Sequence, residues 1–210
     1  MIKIKIRINL EIILFIIIFI ITKQINIYAI FIIFTLIHEM SHTFAGILLG
    51  LKLKKIEIMP FGFKITFWQN RNKIKKIFIT LAGPLSNLII MIFAISFKWN
   101  TNIIYSNLII AVFNLIPIYP LDGGRLLKTI LSLKVNFRKT YEIVNKVSNI
   151  TIILLTVITS IMVLYIKNIA IVIALAYLWY VVIRENKRYS LIQRVYKTLD
   201  KPLEKQKNIV

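Results

Sequence analysis

The chain has 210 residues, 58% of them hydrophobic, and its mean hydropathy is +0.78. Soluble globular domains contain about 45–50% apolar residues, so this composition indicates an integral membrane protein without a separate soluble domain. The absence of cysteine excludes disulfides and thiolate metal sites. The formal net charge is +20 at pH 7, but no recognition motif accompanies the basic residues, so we predict no nucleic-acid partner.

The N-terminal part predicts two membrane spans. Lys3, Lys5 and Arg7 precede an apolar run over residues 8–22. No small-residue cleavage site follows this run, so we interpret it as an uncleaved first span rather than a signal peptide. The second span covers residues 27–50.

Residues 51–67 differ in pattern, because apolar and polar residues mostly alternate there. Alternation is typical of strands, and Pro60-Phe61-Gly62 supplies a turn, so we predict a β-hairpin at the membrane surface. Its edge could pair with an extended substrate, although simple packing on the surface is an equally good interpretation.

The rest of the chain predicts four further spans, over residues 77–97, 103–133, 147–166 and 169–183. Pro84 is expected to kink or break the third span. The fourth is interrupted by Pro117, Pro120 and Gly123-Gly124, and irregular backbone at membrane depth is tolerated where it lines a watery cavity. The predicted fold class is therefore an all-α polytopic membrane protein with six spans and one small hairpin.

The basic residues are unevenly placed along this arrangement. Lysine and arginine are concentrated before the first span, around the hairpin, between spans four and five and after the sixth, whereas the alternate loops hold only Lys23, Lys98 and Lys167. The positive-inside rule then predicts a cell-membrane protein with both termini cytoplasmic. We divide the chain into a membrane-embedded domain, residues 1–183, and a basic cytoplasmic tail, residues 184–210.

The motif with the clearest chemistry is His38-Glu39-Met40-Ser41-His42, which contains the chain's two histidines. Residues four apart share one helix face, so both imidazoles can bind one zinc ion, which acidifies water while Glu39 takes the proton. A buried structural pair is the alternative, but ionisable residues at membrane depth are costly and usually functional. Ser41 is a poor nucleophile candidate, because no histidine is left to act as its base.

A catalytic zinc usually has three protein ligands. The chain has no third histidine and no cysteine, so the third ligand must be a carboxylate. Most of the eight acidic residues lie in segments predicted to be cytoplasmic. Asp122, in the interrupted fourth segment, is the predicted third ligand. The alternative is that Leu121-Asp122-Gly123-Gly124 is only a turn, since Asp-Gly is a common turn pair.

Together these motifs resemble the site-2 protease family of intramembrane zinc metalloproteases, over about residues 27–183. The resemblance rests on H-E-x-x-H, on Ala82-Gly83-Pro84 followed by Asn87, and on Phe113-Asn114-Leu115 with Leu121-Asp122-Gly123. It implies one Zn²⁺ per chain held by His38, His42 and Asp122, with Glu39 as the catalytic base. It also implies that the site and substrate path are shaped by Asn114, Pro120 and Gly123.

The longer motif from Phe113 to Arg125 is similar to the sporulation branch of that family, named after stage IV sporulation protein FB. This similarity implies a membrane-associated substrate cut near the cytoplasmic face, namely a pro-sigma factor, and membrane regulatory partners. Anti-sigma factors or signal-peptide remnants are alternative substrates, and a non-catalytic scaffold or a metal-binding transporter is the alternative class. The 27 residues after the predicted sixth span are too few for the CBS domain of many branch members, and we expect no PDZ insertion.

Overall fold

The structure is a computed structural model, and it describes residues 25–59, 62–67, 72–166 and 169–207. These residues form six helices and two strands. In chain order they are α1 (Ile25–Leu48), β1 (Leu53–Met59), β2 (Gly62–Phe67), α2 (Lys73–Ser96), α3 (Thr101–Leu115), α4 (Asp122–Lys134), α5 (Phe137–Ile166) and α6 (Ile169–Lys207).

The chain divides after Ile116 into two compact units, residues 1–116 and 117–210. In the first unit α1 packs against α2, α3 and β2, and α2 also packs against α3. In the second unit α5 packs against both α4 and α6. The apolar residues buried in the first unit are Ile79, Ala94, Ile110 and Ala111, and those in the second are Ile118, Val144, Ile152, Leu178 and Val182.

The two strands pair antiparallel in the segment where the sequence alternates. Ile56 lies opposite Ile65 and Ile58 opposite Phe63, with a register irregularity between Leu53 and Lys55. The placement of this hairpin at the membrane surface remains a prediction.

Helix α2 begins with a side-chain cap and runs without a break through a proline. The Asn72 side-chain oxygen accepts hydrogen bonds from the backbone N–H groups of Ile74 and Lys75, at 3.0 and 3.2 Å, which satisfies two donors that a helix start leaves without partners. Pro84 is buried in the middle of the helix, which continues to Ser96. The helix is therefore not broken at Pro84, and a kink there stays a prediction.

The prediction of six spans is not reproduced. Among the residues that the structure describes, three helical segments are long and apolar enough to cross a membrane, namely 29–48, 73–96 and 137–163, and α3 is a shorter apolar helix. The predicted first span, residues 8–22, lies outside the described residues. Residues 169–183 belong to one helix with much of the predicted tail, because α6 continues to Lys207.

The interruption predicted in the fourth segment is present. Residues 103–133 divide into α3, a loop and α4. A residue before proline is disfavoured in the helical conformation, and Ile116 is extended before Pro117, with φ −57° and ψ 132°. Helix α3 therefore ends at Leu115, and a new helix begins at Asp122.

Large apolar side chains cover the outer surface of the long helices. Phe44, Phe93 and Leu154 are 65%, 53% and 58% exposed. Water would penalise so much apolar surface, whereas lipid chains match it. Together with the three long apolar helices, this surface indicates a membrane protein.

Candidate metal centre

Two histidines of α1 lie side by side in the core of the first unit. His38 and His42 are four residues apart and therefore share one face of the helix. Both are buried, with 1% and 6% of their surface exposed. Their Nε2 atoms are 3.2 Å apart, and the two rings are nearly perpendicular at 86°.

The other ring nitrogen of His38 faces an asparagine of α2. Nδ1 of His38 lies 2.6 Å from Oδ1 of Asn87. The Asn87 amide nitrogen donates to Oδ1 of Asn107, at 2.9 Å, and to the carbonyl of Phe34, at 3.4 Å. Since the amide group of Asn87 is used as a donor elsewhere, its oxygen accepts from His38, which assigns the proton of His38 to Nδ1.

The same assignment holds for His42. Its Nδ1 lies 2.6 Å from the backbone carbonyl of Ile79, which can only accept a hydrogen bond. A neutral ring with its proton on Nδ1 carries its lone pair on Nε2, so each ring presents an acceptor beside the other, with the two Nε2 atoms 3.2 Å apart. Two acceptors this close repel one another, and a cation bound by both would turn that repulsion into attraction.

A glycine of α2 leaves room for an ion at this point. A Cβ atom added to Gly83 would lie 2.6 Å from Nε2 of His38 and equally near the ring of His42. Any larger residue would occupy the space beside both nitrogens. The donor set and the space left by Gly83 therefore fit a bound metal ion.

The remaining motif residues differ in what their side chains do. Glu39 follows His38 directly and is half-buried. The hydroxyl of Ser41 donates to the carbonyl of Ile37 in its own helix, at 2.8 Å. That bond is an ordinary one for serine in a helix, and it supports the sequence argument against Ser41 as a nucleophile.

In the second unit, Asp122 is the first residue of α4 and only 4% exposed. The start of a helix stabilises a carboxylate, because the first backbone N–H groups point towards it. The guanidinium of Arg125 lies 3.5 Å from the Asp122 carboxylate. Gly123 is buried beside it, and Pro120 lies in the preceding loop after a cis peptide bond with Tyr119.

Asn114 lies near the end of α3, and its side-chain amide donates to the carbonyl of Ile110 at 3.0 Å, within the same helix. The roles assigned to Asn114, Pro120 and Gly123 stay predictions.

Sequence reasoning missed the polar groups that orient the histidines. Asn107 is buried and accepts from Asn87 while donating to the carbonyl of Ile103, at 2.9 Å. A signal was present, because Asn107 is an amide in the middle of the apolar helix α3, and polar groups at such positions usually have a partner. The sequence gives no indication that the Ile79 carbonyl has this role, because every residue has a backbone carbonyl.

Comparison with known proteins identifies related families. The family described as Peptidase M50B-like matches residues 10–121, and Peptidase family M50 matches residues 96–155. A zinc metalloprotease of Methanocaldococcus jannaschii is 32% identical over 128 residues, which are 56% of this chain and 38% of that protein. Stage IV sporulation protein FB of Bacillus subtilis is 30% identical over 128 residues, 56% of this chain and 44% of that protein. The matches thus span less than half the length of either relative.

The fold has a solved counterpart in a site-2 protease from Methanocaldococcus jannaschii. The TM-score is 0.65 at 24% identity, and the match covers 88% of this chain and 92% of that one. The H-E-x-x-H helix, the two oriented imidazoles and the family match over more than half of the sequence agree, and the chain belongs to peptidase family M50, with the site-2 protease fold.

Proposed function

We propose that this protein is an intramembrane zinc metalloprotease in which His38, His42 and Asp122 hold one Zn²⁺. The observation that carries the proposal is the pair of Nε2 atoms facing each other across 3.2 Å, each fixed by an acceptor on its Nδ1. Burial supports Asp122 as the third ligand. Where the structure describes side chains, the buried residues of metal-ligating type are these three.

When bound, zinc would act as a Lewis acid that polarises a peptide carbonyl and lowers the pKa of a bound water molecule. Glu39 is the general base of the proposal: it takes a proton from the attacking water and returns it to the leaving amine. Asn87 and the Ile79 carbonyl hold the two imidazoles in the tautomer that presents Nε2. Burial of this group among apolar helices strengthens each of these electrostatic contacts.

The substrate we propose is a pro-sigma factor processed at the cell membrane during sporulation. The support is the 30% identity to stage IV sporulation protein FB. The arrangement of basic residues supports a multi-pass protein with cytoplasmic termini, which would place the cut near the cytoplasmic face. Membrane regulatory partners are part of this proposal.

A second substrate assignment has its own support. The relative from Methanocaldococcus jannaschii is 32% identical. Its name describes a zinc metalloprotease and does not mention sporulation. The same chemistry acting on an anti-sigma factor or a signal-peptide remnant fits that similarity.

The test is cleavage of a candidate pro-sigma factor co-expressed with this protein or with its Glu39→Gln variant. Loss of a general base typically lowers the rate by about 10²–10⁴-fold, so only the wild type should shorten the substrate. Gel mobility and mass spectrometry of the product measure the cut. If both proteins shorten the pro-sigma factor, Glu39 is not the general base. If neither protein shortens it, the pro-sigma factor is not the substrate.

A further inference from the structure

The loop that leads into Asp122 is held by contacts from three directions. It runs from Pro117 to Leu121, and its own turn is closed by a 2.8 Å bond from the Leu121 N–H to the Ile118 carbonyl. The Ile118 side chain is completely buried. The position of the first residue of α4 is thus tied to the backbone of Ile118 and Tyr119.

The first contact comes from α5. The backbone N–H of Tyr119 donates to the hydroxyl oxygen of Ser148, at 3.1 Å. Ser148 is 5% exposed, and its loss would remove the acceptor that ties the Tyr119 N–H to α5. A buried donor that loses its partner costs about 1–3 kcal/mol, and the loop would no longer be fixed to α5 at this point.

The second contact comes from α4. The Lys128 ammonium lies 4.4 Å from the ring centre of Tyr119 and 3.8 Å from that of Tyr141. Burial lowers the pKa of Lys128, while its hydrogen-bonding contact with Tyr119 acts in the opposite direction. Lys128 therefore joins the loop residue Tyr119 to Tyr141 on α5 through two cation–π contacts.

The third contact is a close approach of backbones. A Cβ atom at Gly124 would lie 2.6 Å from the Ile118 carbonyl oxygen and meet the peptide bond that follows. Only glycine allows α4 to begin this close to its own preceding loop.

We propose that Lys128 and Ser148 are positioning residues, which fix the loop from Pro117 to Leu121 so that Asp122 is presented to the metal. This inference rests on the proposed function, in which Asp122 is a zinc ligand. Neither residue is expected to touch the metal or the substrate. Outer groups that orient a metal ligand typically change affinity or activity by about 10–100-fold when they are removed.

The test uses the full chain in detergent and measures zinc affinity by competition with a chelator. Lys128→Met removes the charge at similar length, and Lys128→Arg restores a cation over the two rings. Lys134→Met is the matched control, because Lys134 is an exposed residue of the same helix. Ser148→Ala is paired with Ser160→Ala, because the hydroxyl of Ser160 donates to the Thr156 carbonyl within α5.

We expect Lys128→Met and Ser148→Ala to weaken zinc binding about 10-fold or more, whereas Lys128→Arg and both controls stay close to the wild type. With substrate, the two weakened variants should lose kcat at saturating zinc with little change in KM. Thermal unfolding of the metal-free proteins is the second readout. A loss of metal-free stability with unchanged zinc affinity would show a merely structural role and overturn the inference.

Asp122→Ala separates this inference from the proposed function. If Asp122→Ala binds zinc like the wild type, Asp122 is not a ligand and the proposed ligand set fails. If Asp122→Ala loses zinc while Lys128→Met and Ser148→Ala keep it, the ligand set stands and the positioning role fails.

Discussion

At the scale of single residues, the hydrogen-bond partners of the two Nδ1 atoms determine whether the histidines can bind a metal ion through Nε2. If either ring carried its proton on Nε2, that nitrogen would donate to the other ring at 3.2 Å and would have no lone pair for a metal ion. Asn87 and the Ile79 carbonyl both require a donor and so leave both Nε2 atoms as acceptors. The amide chain from Asn107 through Asn87 extends this control to a third helix.

Gly83→Ala tests the space beside these atoms. The added methyl group would lie 2.6 Å from Nε2 of His38, where it displaces any ion that both imidazoles share. We expect zinc affinity to fall by at least about 100-fold, the upper end for groups around a metal.

The helix itself provides the control for Gly83→Ala. Alanine favours an α-helix over glycine by about 1 kcal/mol, so circular dichroism should show helix content equal to that of the wild type. If a normally folded Gly83→Ala protein binds zinc with wild-type affinity, the ion does not lie between His38 and His42 beside Gly83, and the proposed metal site is wrong.

The pairing of the two histidines could be predicted because their spacing is local, since residues 38 and 42 face one way on any helix. The choice of Asp122 as third ligand rests on the shortage of other ligand types and stays a prediction. Gly83 and Asn87 were visible only as parts of a family motif, without a role. Their roles depend on which face of α2 packs against α1, and no local pattern fixes that choice.

At the scale of helices, α5 and α6 are joined by polar groups on otherwise apolar faces. Asn149 and Asn186 exchange two amide hydrogen bonds, at 3.2 and 2.8 Å. The indole N–H of Trp179 donates to the hydroxyl of Thr156, at 2.9 Å. Apolar contact alone gives little preference for one helix partner in lipid, so such bonds contribute to specific pairing.

A double-mutant cycle on Asn149 and Asn186 measures this contribution. Hydrogen bonds between helices in a membrane average about 0.6 kcal/mol each, so the two bonds predict a coupling of about 1 kcal/mol between Asn149→Ala and Asn186→Ala. Unfolding by a denaturing detergent gives the free energies. The control cycle pairs Asn149→Ala with Gln193→Ala, because Gln193 bonds Tyr189 instead. Additive effects in the first cycle would refute the pairing.

Helix boundaries were harder to predict than helix existence. Residues 103–133 are predicted as one interrupted span, with Pro117 and Pro120 inside it. The structure ends α3 before the first of these prolines and starts α4 at Asp122. The prolines predict that the helix is interrupted, because proline lacks a backbone donor, but they do not predict where the next helix begins.

At the scale of the whole molecule, the uneven distribution of basic residues predicts how the chain is oriented in a membrane. Lysine and arginine near span ends resist translocation, so the loops richest in them stay in the cytoplasm. The loop between α2 and α3 has one basic residue, Lys98. The region around the start of α5 has three, namely Lys134, Arg138 and Lys139. The two regions are therefore predicted to lie on opposite sides of the membrane.

The natural absence of cysteine allows this orientation to be measured directly. Thr101→Cys and Lys139→Cys each introduce a single thiol at an exposed position, one at the start of α3 and the other in the first turn of α5. A membrane-impermeant maleimide applied to intact cells should label the first variant and leave the second unlabelled. After permeabilisation both should react, which controls for thiols that are merely shielded. Labelling of Lys139→Cys alone in intact cells would invert the topology and move the basic loops outside, against the charge argument.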